Sequence, residues 1–271
     1  MPELGEVEYY RKVWNSGLGE KILSVKLNDK KRVFRGTNTQ KLIQKLTQAK
    51  LLSSYTHGKQ MLFQFSGQAW LRIHLGMTGK LLTKPISYFP DKHDHLVLFQ
   101  KKQTLIFRDP RQFGRIQFDT TKTEPKGWIN LPPSILSKKF SPTLVKTFLK
   151  RHKRAPIKSV LLLQQGFPGV GNWIADEILW QSQIPPQTPA GSLTEKKSQI
   201  LFQNIRQIAV KIIKTVGKDF SDPPKTWLFH YRWKKKGPCP RCHTLLKHTT
   251  IGGRTTCWCP KCQNFKPSDP H

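Results

Sequence analysis

The hydrophobic period of this chain changes once, at a proline-rich stretch, and that single change limits the folds open to it. Before the stretch, apolar residues recur at every second position in short runs. Leu23, Val25 and Leu27 form one, Met61, Phe63 and Phe65 a second, Leu71, Ile73 and Leu75 a third. Further short runs follow at "HLVLF", "TLIFRD" and "RIQFD", parted by Gly, Pro, Asp or Lys. Several short strands with regular turn signals predict a β-sandwich or barrel. Two helical stretches accompany them, one from Leu4 to Trp14 and one at "TQKLIQKLTQ". The boundary is "LPPSILSKKFSP", residues 131–142. Beyond it the period is helical: "SPTLVKTFLKRH", then "PIKSVLLLQQ" opened by Pro156, then "NWIADEILWQSQI" after the loop "GFPGVG". A last long helix is predicted to open at Ser192, with Glu195 three residues on as a capping box, and to bury Leu201, Ile205, Ile208 and Ile212. Strands first and helices after make an α+β chain.

All five cysteines lie between positions 239 and 262. Cys239, Cys242, Cys259 and Cys262 make a C-x2-C-x16-C-x2-C pattern. Two tight turns, each presenting two thiolates, are the ligand set of a closed structural zinc site with no position left for catalysis. Cys257 falls outside the pattern as a spare thiol, and His243 or His248 could replace a cysteine ligand. Between the pairs, "TTIGGRTT" reads as a hairpin with Arg254 at or near its tip, either reaching a phosphate or simply solvated.

Lys and Arg number 47 against 16 Asp and Glu, a formal charge of +31. Such an excess implies a polyanionic partner, and nucleic acid fits because neutralised phosphates release their counterions. A membrane surface would require a basic amphipathic helix, whereas here the charge is spread along the chain and no apolar run approaches a span. No secretory signal opens the chain, so an intracellular location with nucleic acid is expected, and clustered cysteines there argue for metal rather than disulfides.

The chain begins "MPELGEVEYY". Pro and Glu at a helix start are ordinary helix grammar. Taken with "HGKQMLF", "RIHLGMTGKL", "RDPRQFGRI", "GFPGVGNWIADEIL" and the four-cysteine tail, in that order, they resemble the formamidopyrimidine-DNA glycosylase/endonuclease VIII family over essentially the whole chain. "MPEL", "DPRxFG" and "GNxxADE" lean towards the formamidopyrimidine branch.

That resemblance implies a β-sandwich with a leading helix over 1–131, a helix-two-turn-helix domain over 132–236 and a β-hairpin zinc finger over 237–271 holding one structural Zn2+. It implies a monomeric bifunctional glycosylase/lyase acting on double-stranded DNA with oxidised bases or abasic sites, in the basic cleft between domains. Removal of Met1 would expose the Pro2 secondary amine, which attacks the sugar of the damaged nucleotide, expels the base and forms an imine. An α-amino group titrates near ~8, so part of it is neutral and nucleophilic at physiological pH. Glu3 would shuttle protons during ring opening and β/δ-elimination. Lys59 matches the active-site lysine beside the lesion phosphate. Met77, Arg111 and Phe113 match the trio that fills the gap left by the everted nucleotide, and His74, Asn172 and Arg254 match phosphate contacts. Asn172 also opens a helix, where it could be an N-cap or sit at an anion site.

Three residues or segments depart from the family pattern. Gly5 stands where proline is usual, which is expected to loosen the first helical turn. Gln112 stands where a second Arg is common, which bears on the opposite strand. "GKDFSDPPKTWLFHYRWKKKG" replaces a longer Gly-rich loop over the everted base, which argues against efficient 8-oxoguanine recognition. Two other classes compete with the enzyme: a non-catalytic binder of damaged DNA, and a basic zinc-ribbon protein on RNA.

Overall fold

The computed structural model describes residues 1–234 and 237–264. The chain divides into two compact units: Met1–Pro2 with Glu6–Leu131, and Glu3–Gly5 with Pro132–His271. The leading helix α1 (Leu4–Val13) therefore begins with the second unit and continues with the first.

The first unit holds β1 (Ser24–Leu27), α2 (Thr39–Leu46), β2 (Leu51–His57), β3 (Gln60–Phe65), β4 (Ala69–His74), β5 (Lys80–Pro85), β6 (Asp94–Phe99), β7 (Gln103–Arg108), β8 (Arg115–Thr120) and the short α3 (Lys126–Ile129). Its strands form two antiparallel four-stranded sheets, β1-β6-β7-β5 and β2-β3-β4-β8. Met61, Phe63, Phe65, Leu71 and Ile73 of one sheet share a core with Leu81, Leu96, Leu98, Leu105 and Phe107 of the other. Alternation thus turns one face of each sheet inward. Trp14, fully buried, lies against Phe63 at 4.8 Å and donates its indole N–H to the Leu82 carbonyl at 3.2 Å. Leu23 does not share the face of Val25 and Leu27: it precedes β1 and is 44% exposed, and Ile22 is the buried residue there.

The second unit holds α4 (Pro142–Arg151), α5 (Ile157–Leu161), α6 (Asn172–Ser182), α7 (Glu195–Lys214), α8 (Val216–Asp219) and a hairpin of β9 (Lys247–Ile251) and β10 (Arg254–Trp258). Every residue of α6 from Trp173 to Trp180 is buried, so this helix is sheathed on all sides. The α7 stripe of Leu201, Ile205, Ile208 and Ile212 is buried in the same core. The predicted cap of α7 is displaced by two residues. Ser192 lies in a separate 3-10 turn and donates to the Pro189 carbonyl, whereas the Thr194 hydroxyl accepts from the Lys197 N–H at 3.3 Å. That leaves Glu195 at the first helical position, where it pairs with Lys146.

Gly5 marks a close approach of the second unit's helices to α1. It is buried inside α1, and a Cβ there would lie 2.5 Å from the Ile212 methyl and 2.9 Å from Val216. The α7 and α8 side chains fill the space that a proline ring would need. The cysteine hairpin packs through Leu246, Cys239, Cys257 and Cys259 onto Trp180 and Leu228, and it is counted with the second unit. Lys235, Lys236 and residues 265–271, which include the expected 236/237 limit and the end of the tail, lie outside the described residues.

Candidate functional site

In the first unit, Gly58 and Lys59 form the two-residue turn between β2 and β3, with His57 paired to Gln60 and Gly58 at φ +59°. Lys59 is no solvated turn lysine, since only 7% of it is exposed. One strand further in, Gln60 pairs with His74 at the end of β4. Burial first, then the charges of Lys59 and Arg35, push the His74 pKa below its ordinary value, so the ring is neutral near pH 7. The Gly76 N–H donates to His74 Nδ1 at 3.1 Å, which leaves the ring hydrogen on Nε2 as a donor.

Met77 lies in the β4–β5 loop, Arg111 and Phe113 in the β7–β8 loop, and all three are exposed. Phe113 is therefore no core residue. Asp109 joins the two loops. It is fully buried, and its carboxylate accepts from the Thr78 hydroxyl and from the Gly114 N–H, both at 2.7 Å. The loops also touch through backbone, since a Cβ on Gly76 would lie 2.4 Å from the Phe113 carbonyl carbon. The Arg111 guanidinium stands 4.7 Å from the centre of the Phe113 ring. Between them Gln112, at φ +55°, accepts from the Arg32 N–H at 3.3 Å.

In the second unit the N-terminus of α6 is occupied by the chain's own carboxylate. Glu3 Oε1 accepts from the Trp173 N–H and Oε2 from the Ile174 N–H, each at 3.1 Å, and Glu3 is 3% exposed. Two orphan donors and the positive helix end are thereby satisfied by one side chain. Gly171 makes the approach possible, because a Cβ there would lie 2.1 Å from the Glu3 carboxyl carbon. The Leu4 N–H donates to the Gly169 carbonyl at 3.0 Å and holds the N-terminal segment along this loop. Asn172 is then neither the N-cap nor placed at open backbone donors: Gly171 is the cap, and the amides of Trp173 and Ile174 are taken by Glu3. Asn172 Nδ2 instead donates to the Thr255 carbonyl at 2.8 Å, tying α6 to the strand that starts with Arg254. Arg254 is exposed beside the Gly252–Gly253 turn, whose residues have φ of +57° and +72°.

Sequence reasoning missed the buried charges of α6. Asp176 accepts from Lys158 on one oxygen; on the other it accepts from Arg232 at 2.7 Å and from the Cys257 N–H at 3.2 Å. Lys158 also donates to the Asn172 carbonyl at 2.6 Å. Burial outweighs Asp176 and pulls the Lys158 pKa down. Glu177 accepts from the Phe229 N–H at 3.1 Å and from Gln181 at 2.7 Å, and burial pushes its pKa up to about 7. The one available signal was a pair of adjacent acids inside an otherwise apolar helix.

The four expected cysteines converge, with all four Sγ atoms within 4.8 Å of one another. Cys239 and Cys262 are 3.8 Å apart, Cys242 and Cys259 3.5 Å, near the about 3.8 Å edge of a tetrahedron with Zn–S bonds of ~2.3 Å. N–H groups point at the sulfurs, Trp180 Nε1 at Cys239 and the Cys262 amide at Cys259, each at 3.4 Å. These residues fit a zinc ion. His248 lies outside the set, against the Arg232 carbonyl, and Cys257 is a buried thiol pushed up to about 12 by burial and Asp176.

Residues 1–116 match the formamidopyrimidine-DNA glycosylase N-terminal domain, and residues 131–222 match the formamidopyrimidine-DNA glycosylase H2TH domain. A formamidopyrimidine-DNA glycosylase of Ligilactobacillus salivarius is 35% identical over 280 residues, covering 98% of this chain and 100% of that one. One from Arabidopsis thaliana is 29% identical, covering 99% of this chain and 72% of its own length. Among solved structures, wild-type Lactococcus lactis Fpg (MutM) with a DNA containing N7-benzyl-Fapy-dG has a TM-score of 0.88 at 27% identity, covering 97% of this chain and 100% of that one. The same protein with an oxidised-pyrimidine DNA gives 0.87 at 28% identity and the same coverage.

Proposed function

The chain belongs to the formamidopyrimidine-DNA glycosylase family, and from that premise we propose that it is a base-excision-repair DNA glycosylase with abasic-site lyase activity. Its substrate is double-stranded DNA with an oxidised base or an abasic site, met inside the cell. Loss of Met1, which is 48% exposed, frees the Pro2 amine. Its nitrogen attacks C1′ of the damaged nucleotide as the base departs with the glycosidic electron pair; the nitrogen then loses its proton, the C1′–O4′ bond breaks with O4′ taking a proton, and the iminium so formed permits β- and then δ-elimination. Glu3 passes protons to and from the opening sugar. The observation that carries this reading is the placement of Glu3: a buried carboxylate fixed by two helix N–H groups, one residue beyond the amine.

The other residues take supporting parts. Lys59 and the neutral His74, with its Nε2–H, meet phosphates beside the lesion. Asn172, by its remaining Nδ2 hydrogen, and Arg254 meet phosphates from the second unit. Met77, Arg111 and Phe113, held by Asp109, fill the duplex where the nucleotide has left it. Zn2+ in the four cysteines fixes the hairpin that carries Arg254, and the division into 1–131, 132–236 and 237–271 follows these roles. Formamidopyrimidines and oxidised pyrimidines are favoured over 8-oxoguanine, because the 220–234 segment is drawn down by buried Trp227, Leu228 and Arg232.

Borohydride trapping tests the reading. Protein confirmed by mass to begin at Pro2 is expected to form a covalent adduct with an abasic duplex, and to lose it when Pro2 is changed. Tight binding with no adduct and no nick would overturn catalysis and leave a binder of damaged DNA.

A further inference from the structure

Trp233, held between Arg232 and Phe229, presents a surface to which no DNA contact has been assigned above. Trp233 is 67% exposed, whereas Trp14, Trp173, Trp180 and Trp227 line the cores. It is nevertheless not loose. The Arg232 guanidinium lies 4.2 Å from the centre of its ring, and the Phe229 ring stands edge-on at 6.4 Å. Arg232 is itself 6% exposed and fixed by the 2.7 Å bond to Asp176, and its carbonyl lies 2.9 Å from His248 Nε2. The Phe229 N–H is held by Glu177. The indole is thus mounted on a cation that is tethered to the buried centre of α6, while most of its own surface stays in solvent.

A flat aromatic face that is already ordered loses little entropy when a second flat ring settles on it. Lys234 follows directly in sequence, and the whole chain carries +31, so a polyanion is drawn to the molecule whatever its sequence. Aromatic faces set in basic surroundings are how proteins hold unpaired bases, with stacking favourable for any base. A protein partner would instead be expected to bury a contiguous apolar patch, and the neighbours of Trp233 in sequence are Arg232 and Lys234.

We propose that Trp233 is a stacking platform for an unpaired nucleobase of the bound DNA. The inference rests on DNA being the partner, but not on the imine chemistry of Pro2.

The test compares the full zinc-loaded protein with Trp233→Ala and Trp233→Phe, by fluorescence anisotropy at fixed salt. Three labelled probes are used: a fully paired duplex, the same duplex with one bulged thymine, and a single-stranded oligothymidine. Trp233→Ala is expected to weaken binding to the bulged and single-stranded probes about tenfold, and to the paired duplex less than about twofold. Trp233→Phe, which keeps a flat face, is expected to stay within about threefold of the parent on all three. Melting temperature and zinc content should be unchanged in both variants, since the side chain is exposed. Equal losses on every probe, no loss on any, or a Phe variant as weak as Ala would overturn the proposal. Adduct formation on abasic DNA, measured in parallel, reports on Pro2 alone, so the two readings can fail separately.

Discussion

At the scale of single residues, Gly171 has the sharpest consequence. Its φ of −124° is open to any residue, so the constraint on it is purely steric: the Glu3 carboxyl carbon occupies the place of a Cβ. Gly171→Ala is expected to expel Glu3 from the α6 N-terminus and to cost about 1–2 kcal/mol in urea unfolding, the size of a lost helix cap. Glu3→Ala should cost a similar amount alone and almost nothing more in the Gly171→Ala background, because both remove one interaction. Additive losses in that double-mutant cycle would show that the two residues act apart. Strand cleavage should fall in all three variants. The glycine was visible in "GFPGVGN", but its role was not, because the partner that needs the space is 168 positions earlier in the chain.

At the scale of elements, α6 carries an acid whose protonation favours the fold. The folded pKa of Glu177, about 7, lies above its ordinary 4.5. Its contribution to stability is complete below 4.5 and is lost as pH rises through 7, because over that interval the folded state binds more protons than the unfolded one. Glu177→Gln is expected to remove that decline. The difference in unfolding free energy between variant and parent should move in the variant's favour from pH 5 to pH 8, by at most roughly 3 kcal/mol. A constant difference across the range would count against a buried, titrating Glu177.

The strands β3 and β4 and the helix α7 were readable from their apolar periods, and β7 from a short apolar run that is buried on both faces. The edge strands β2 and β5 were not. Each pairs on one side only, and "LLSSYTH" and "KLLTKP" are largely polar, with Pro85 tolerated at a sheet margin. The loops of Met77 and Phe113, the turn lysine and the cysteines could be located as motifs. Asp109, the buried carboxylate that ties the two loops together, and Asp176, the one that ties α6 to Lys158, Arg232 and the hairpin, join residues far apart in sequence and leave no local signal.

At the scale of the molecule, the four converging cysteines could hold a metal, and its removal gives a test. Stripping zinc with a chelator is expected to unfold the hairpin and expose Cys257 to thiol reagents, while the near-ultraviolet signal of Trp14 and the sheet content of the first unit persist. DNA binding should fall at the same time, through loss of Arg254. Retention of a protected Cys257 after metal removal would show that packing on Trp180 and Leu228 suffices without it.

Within the second unit, two cations with almost no exposure share one buried carboxylate: Lys158 and Arg232, with side-chain exposures of 0% and 4%, both meet Asp176, at 0%. Removing one partner of such a set strands the others in a medium that cannot solvate them, whereas replacing the set together by apolar residues need not be costly. The route between those two states passes through intermediates that fold poorly. A lineage carrying this arrangement is therefore held to it by the depth of the valley around it, even where a simpler core would serve as well. Among random variants of these three positions, survivors are expected to differ from the parent at several of them or at none.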